Sequence, residues 1–222
     1  MDKNAAINEC TRKIYKNELN YKFVIIGDYG VGKTSIINRY VEGEISERYH
    51  ITIGSDFKVK TLELSEDTQV CLQIWDIAGH EKFNSLTGVF YRHARAAAIV
   101  FDLTRPETFQ SVDKWLSDLR RKTQLPGGCN IPVVLLANKG DIRFDTIPPE
   151  ICEYCKRNDI LAWFITSAKT NQNLDEAISV LINAVYNHIQ LEYTQVDDND
   201  AVQLNHIDDS TRKKISWKCF NI

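Results

Sequence analysis

Gly27-Asp28-Tyr29-Gly30-Val31-Gly32-Lys33-Thr34 has the form G-x-x-x-x-G-K-[ST]. Immediately upstream, residues 21–26 are short, apolar and rich in β-branched side chains, which predicts a buried strand. Immediately downstream, Ile36, Ile37, Tyr40 and Val41 recur at helical spacing. A strand that empties into such a loop, which then opens a helix, is the setting in which this motif cradles phosphate. Glycines let the loop N–H groups turn inward toward phosphate oxygens, and the helix N-terminus adds its dipole. Lys33 would reach the β- and γ-phosphates, and the Thr34 hydroxyl would ligate Mg²⁺. An unliganded glycine-rich turn is the competing reading, but it has no use for a Lys-Thr pair at this place. The loop alone does not name the nucleotide.

Further along, Val70, Leu72 and Ile74 alternate with polar neighbours as in a strand. AAAIVF at 96–101 and VVLLA at 133–137 are continuous apolar runs, the pattern of strands covered on both faces. Between these runs, Phe109, Val112, Trp115, Leu116 and Leu119 follow helical periodicity. So do Leu174, Ala177, Ile178, Leu181, Ile182, Val185 and Ile189. Buried strands alternating with amphipathic helices predict a mostly parallel sheet flanked by helices. In such sheets ligands sit beyond the carboxyl ends of the strands.

The composition agrees. The chain has 222 residues, 43% hydrophobic and 26% charged, enough to bury a core without disulfide staples. With 27 Lys+Arg against 30 Asp+Glu the formal charge is -3, so no global basic field for nucleic acid exists. No apolar run approaches the ~18 residues of a membrane-spanning helix. The first residues lack the apolar stretch of a secretory signal, so the six cysteines are read as reduced thiols of a soluble intracellular chain. Cys152 and Cys155 lie in a predicted helix with no second pair nearby, which favours packing over metal or redox chemistry.

Asn138-Lys139-Gly140-Asp141 follows the strand VVLLA directly. The Asp141 carboxylate can accept paired hydrogen bonds from N1–H and the exocyclic amine of guanine. Adenine offers no such donor pair. Ser167-Ala168-Lys169 follows the short strand 163–165 and would set a backbone N–H on the guanine O6. With these residues in order, the chain resembles the Ras-like small GTPases and, within them, the Rab family, over about residues 20–190. LPGGCNIPVVLLANKGD at 125–141 looks like the Rab subgroup of lysosome-related organelles.

The resemblance implies a P-loop NTPase of the α/β class, with a mostly parallel six-stranded sheet flanked by helices on both faces. It also implies a GTP/GDP switch with Mg²⁺. Carried over by position, Thr52 in Ile51-Thr52-Ile53-Gly54 closes on Mg²⁺ and the γ-phosphate, and Asp76 holds Mg²⁺ through water. The Gly79 amide senses the γ-phosphate. Asp28, Tyr29, Gly30, Val31, Gly32, Lys33, Thr34 and Ser35 would surround the phosphates; Asn138, Lys139, Asp141, Ser167, Ala168 and Lys169 would surround the base. Phe57, Trp75 and Phe90 or Tyr91 match the aromatic cluster that Rab proteins show to effectors. Exchange factors, GTPase-activating proteins and prenylation enzymes are the other implied partners.

Three positions depart from the family. His80 stands where a glutamine usually orients the attacking water, which predicts slow intrinsic hydrolysis. Tyr29 occupies a loop position commonly Gly or Ser and would crowd the γ-phosphate. Ile45 replaces an aromatic ring across the guanine, which predicts faster nucleotide release. A scaffold that hardly hydrolyses GTP and an ATP-dependent P-loop kinase are the other readings; Asp141 speaks against the latter.

The expected domain organisation is a polar lead at 1–19, a GTPase domain at 20–190 and a flexible tail at 191–222. That tail is acidic first and basic last, with Arg212, Lys213 and Lys214 ahead of Cys219. Cys219 sits four residues from the end, the spacing of a prenylation box, which would anchor the chain to the cytosolic face of an endomembrane.

Overall fold

The structure, a computed structural model, describes residues 15–44, 52, 54–79, 87–125, 128–143 and 147–200. The strands are β1 (Asn17–Gly27), β2 (Ser55–Ser65), β3 (Thr68–Ile77), β4 (Ala96–Asp102), β5 (Val133–Asn138) and β6 (Ala162–Ile165). The helices are α1 (Lys33–Glu42), α2 (Thr87–Tyr91), α3 (Glu107–Gln110), α4 (Val112–Lys122), α5 (Ile151–Arg157) and α6 (Leu174–Asp200). One six-stranded sheet has the order β2-β3-β1-β4-β5-β6. Its β2–β3 pair is antiparallel and its other four pairs are parallel. This is the mostly parallel P-loop architecture expected.

Period-2 alternation divides the core between the two faces of the sheet. Tyr21, Phe23, Ile25, Ala98, Val100, Val134 and Leu136 point to one side, where α1 and α6 cover them. Val24, Ile26, Ala97, Ile99, Phe101, Val133 and Leu135 point to the other, beneath α4 and α5. Every residue of β4 and β5 is therefore buried, which is why those strands read as unbroken apolar runs. On α6, Leu174, Ala177, Ile178, Leu181, Ile182 and Val185 form the buried stripe that their spacing predicts.

Three elements differ from the sequence reading. β1 begins at Asn17, so residues 17–19 join the sheet: Asn17 pairs with Thr68 and Leu19 with Val70. Backbone pairing with β3 satisfies these residues while Asn17 and Glu18 stay exposed, so no apolar pattern announces them. β2 had no expectation attached. Its apolar residues change phase between Val59 and Leu62, and it is an edge strand with a register shift between Glu63 and Ser65. Finally, α6 runs to Asp200, ten residues past the expected end of the GTPase domain at 190. A helix already nucleated against the core propagates by one backbone hydrogen bond per added residue, so its end needs no apolar stripe in the sequence.

Candidate functional site

The carboxyl ends of the parallel strands bring the predicted motifs to one edge of the sheet. β1 ends at Gly27, and α1 begins at Lys33 after a loop that carries Asp28, Tyr29, Gly30 and the buried Val31. Gly32, the residue before α1, has φ 99°, and a Cβ there would fall 2.4 Å from Asn138 Nδ2. No side chain caps α1 and no acidic residue lies in its first turn, which includes Thr34 and Ser35. The helix therefore presents amides and a positive dipole end to an anion. Lys33 is buried, and its Nζ donates to the carbonyls of Gly27 at 2.9 Å and Asp28 at 3.0 Å. The ammonium is thus held against the loop it is expected to serve.

Three oxygen-bearing side chains from separate elements meet beside this loop. Thr34 Oγ1 lies 2.9 Å from Thr52 Oγ1 and 2.5 Å from Asp76 Oδ2. Thr52 Oγ1 is 3.0 Å from the same carboxylate oxygen. Asp76 is buried, and its Oδ1 has no hydrogen-bond partner among the described residues. A buried carboxylate with one unpartnered oxygen beside two hydroxyls is suited to a cation. Hard oxygen donors with a single carboxylate suit Mg²⁺, which takes its remaining ligands from phosphate and water. The donor set expected from the sequence therefore fits the metal. Gly79 follows closely: a Cβ there would come within 2.4 Å of the Tyr29 amide nitrogen, so only glycine lets this segment run against the loop backbone.

The base side is tied to the phosphate side through Asn138. Its Nδ2 donates to the Val31 carbonyl at 2.8 Å, and its Oδ1 accepts the Ala168 N–H at 3.4 Å. Ser167 Oγ donates to Asp141 Oδ1 at 2.6 Å, aligning the carboxylate expected to read guanine. Arg39 of α1 donates to the carbonyls of Ala168 at 2.9 Å and Lys169 at 3.0 Å. Lys139 adopts φ 67°, and its Nζ sits 2.6 Å from Asp102 Oδ2. Arg105 contacts the same oxygen through Nε at 3.0 Å and donates from Nη2 to the Tyr29 carbonyl at 2.9 Å. Burial acts most strongly on the Asp102 carboxyl and would raise its pKa. Hydrogen bonds from Lys139, Thr104 and Arg105 outweigh it, so the group titrates below the usual carboxylate range.

Asp102, Arg105, Arg39 and Trp115 were not among the site residues expected from the sequence. Trp115 Nε1 donates to Asp28 Oδ1 at 2.8 Å, although helical periodicity marked it only as core. The one available signal was position: Asp102 ends a buried parallel strand, where such sheets place ligand-facing groups.

The aromatic cluster is partly corrected. Phe57 is half-exposed and stacks on Trp75 at 5.2 Å between ring centroids, and Lys22 Nζ stands 3.7 Å over the Trp75 ring. Tyr91, however, has 0% exposure, so it is not part of a surface shown to effectors. The last turn of α2 buries it against the side of the sheet that carries Val24 and Ile26. Phe90 takes the partly buried position beside it. Cys152 and Cys155 form no disulfide, and no metal cluster of His, Cys, Asp and Glu occurs among the described residues. Also among these, no helix is long and apolar enough to cross a membrane. His80, Ile45, Ile51, Ile53 and Cys219 lie outside the described residues.

Residues 22–187 match the Ras family. The Ras-related protein Rab-32 of Homo sapiens is 44% identical over 187 residues, covering 83% of each chain. The Ras-related protein Rab-32B of Dictyostelium discoideum is 44% identical over 185 residues, 83% of this chain and 71% of its own. The Ras-related protein Rab-7L1 of Rattus norvegicus is 38% identical over 200 residues, 90% of this chain and 96% of its own.

Proposed function

The chain belongs to the Ras family, as a Rab GTPase, and from that premise we propose how its own residues work the switch. A protein of this kind binds GTP and GDP with Mg²⁺, hydrolyses GTP, and acts as a switch in membrane trafficking with regulators and effectors. Lys33 and the amides at the start of α1 bind the phosphates. Thr34, Thr52 and Asp76 hold the metal, which when bound neutralises charge on the phosphate oxygens. Asp141 selects guanine, Ser167 aligns it, and Asn138 fixes the base loop to the phosphate loop. Thr52 and the Gly79 region close around GTP and are released after the γ-phosphate leaves. The reaction is in-line attack of water on that phosphate. His80 serves the water poorly, and the intrinsic rate is slow.

Effectors of the GTP form dock on the two switch segments and on the exposed Phe57 stacked on the partly buried Trp75. Cys219 receives a prenyl group, and the basic residues 212–214 supply the second attraction to an anionic leaflet. The membrane is that of a late endosome, lysosome or lysosome-related organelle, and the GDP form returns to the cytosol.

The observation that carries this reading is the meeting of Thr34, Thr52 and Asp76 beside the phosphate loop. Competition of GTP and ATP for the purified protein with and without Mg²⁺ tests it. GTP should win, and Mg²⁺ should tighten its binding. Equal competition by ATP, or indifference to the metal, would remove the reading. Mass spectrometry of the protein from its own cell tests the lipid on Cys219.

A further inference from the structure

A second cavity, of ≈ 520 Å³, opens at the other end of β4 from the nucleotide site. Its walls come from the end of α2, the turn before Ala96 and the end of α4. Since β4 ends at Asp102 in the nucleotide site, the two openings are about 20 Å apart along the strand. Arg92, His93, Arg95 and Lys122 line it. Asp118, against the base of this group, is almost fully buried and already holds Lys122 and Arg121, each at 2.7 Å. Among the described residues neither Arg92 nor Arg95 has a carboxylate partner. His93, at the exposed rim, holds the left-handed backbone at φ 63°, a conformation uncommon for a residue with a side chain.

Guanidinium groups recognise phosphate oxygens in paired, charge-assisted hydrogen bonds. A cavity of this volume, with two guanidinium groups and the Asp118-bound Lys122 in its wall, exceeds what one phosphate fills. Its position adds a second constraint. α6 returns from the end of β6 toward this same pole, and both its Tyr186 and Arg95 lie close enough to Tyr21 to act on the charge of its phenol. α6 therefore runs toward the pole that carries the cavity, and the sequence that follows it contains Arg212, Lys213, Lys214 and Cys219.

We propose that the cavity lined by Arg92, Arg95 and Lys122 binds a multiply phosphorylated polyol, the chemistry displayed by a phosphorylated inositol lipid headgroup at a membrane surface. Occupancy would orient the body against the bilayer, which the tail alone does not do. The proposal stands apart from nucleotide binding, which uses none of these residues.

The test uses the full-length, unlipidated protein in its GDP form. Inositol trisphosphate is titrated in solution, and flotation is measured with phosphatidylcholine vesicles with or without phosphatidylinositol bisphosphate. One variant carries Arg92→Gln and Arg95→Gln; another carries Arg212→Gln, Lys213→Gln and Lys214→Gln. The unsubstituted protein should bind both ligands, and the cavity variant should bind each about tenfold more weakly or worse. Its GDP release should be unchanged, which separates this result from damage to the nucleotide site or the fold. The tail variant should keep its affinity for inositol trisphosphate. Binding in solution without flotation would leave the cavity its phosphate chemistry and overturn the lipid as its source. Binding that only the tail variant weakens, or equal binding of an acidic peptide, would overturn the site.

Discussion

Asp102 and Lys139, at the ends of the adjacent parallel strands β4 and β5, meet with Nζ 2.6 Å from Oδ2 on a carboxylate that has no solvent exposure. Arg105 shares that carboxylate and reaches on to the Tyr29 carbonyl. The expected base loop and phosphate loop are thus coupled through one buried charge. Removing one member of such a group costs about 3–5 kcal/mol, because the others stay behind uncompensated. We predict that Asp102→Asn lowers stability by ~3 kcal/mol and speeds GDP release about tenfold. Urea unfolding and displacement of a fluorescent GDP analogue measure the two effects; unchanged release would show that the loops are not coupled this way.

The same carboxylate predicts a dependence on pH. Its pKa is lower in the folded chain than in the unfolded one, so its contribution is fully present above the unfolded value. Acidification through the folded value removes it. Stability measured from neutral pH down through the carboxylate range should therefore fall more steeply in the parent than in Asp102→Asn. Parallel curves would assign the acid sensitivity elsewhere.

Metal removal bears on Asp76. Chelation by EDTA should accelerate GDP release from the parent protein, whereas Asp76→Ala should release GDP rapidly with or without Mg²⁺. A variant that still slows on addition of Mg²⁺ would mean that the meeting of Thr34, Thr52 and Asp76 is not the metal site.

His80 is expected to be a poor partner for the attacking water, since imidazole cannot offer an amide's donor and acceptor together. His80→Gln should raise single-turnover GTP hydrolysis by about tenfold. A lower or equal rate in rapid-quench measurements would transfer the slow step to another residue, Tyr29 first.

Ile45 is expected to leave the guanine without an aromatic edge contact worth ~1 kcal/mol. Ile45→Phe should slow release of the fluorescent GDP analogue about fivefold. Identical off-rates would place the base beyond the reach of this side chain.

Local chemistry and periodicity carried much of the reading without coordinates. A glycine-rich loop ending in Lys33-Thr34 can only be useful at a strand-to-helix junction, and apolar runs such as those of β4 and β5 can only be covered on both faces. Those constraints act within a few residues, so the order of residues expresses them. Partnerships between distant residues leave no such trace. Nothing near Asp102 in sequence announces Lys139, and nothing near Trp115 announces Asp28, because parallel pairing brings strand ends together across long connections. The same limit hid β2, whose pairing with β3 rather than an apolar stripe makes it a strand. It also let Tyr91 pass for a surface aromatic until the last turn of α2 carried it inward. Composition showed a near-neutral chain; only the meeting of α2, β4 and α4 gathered Arg92, Arg95 and Lys122 around one cavity.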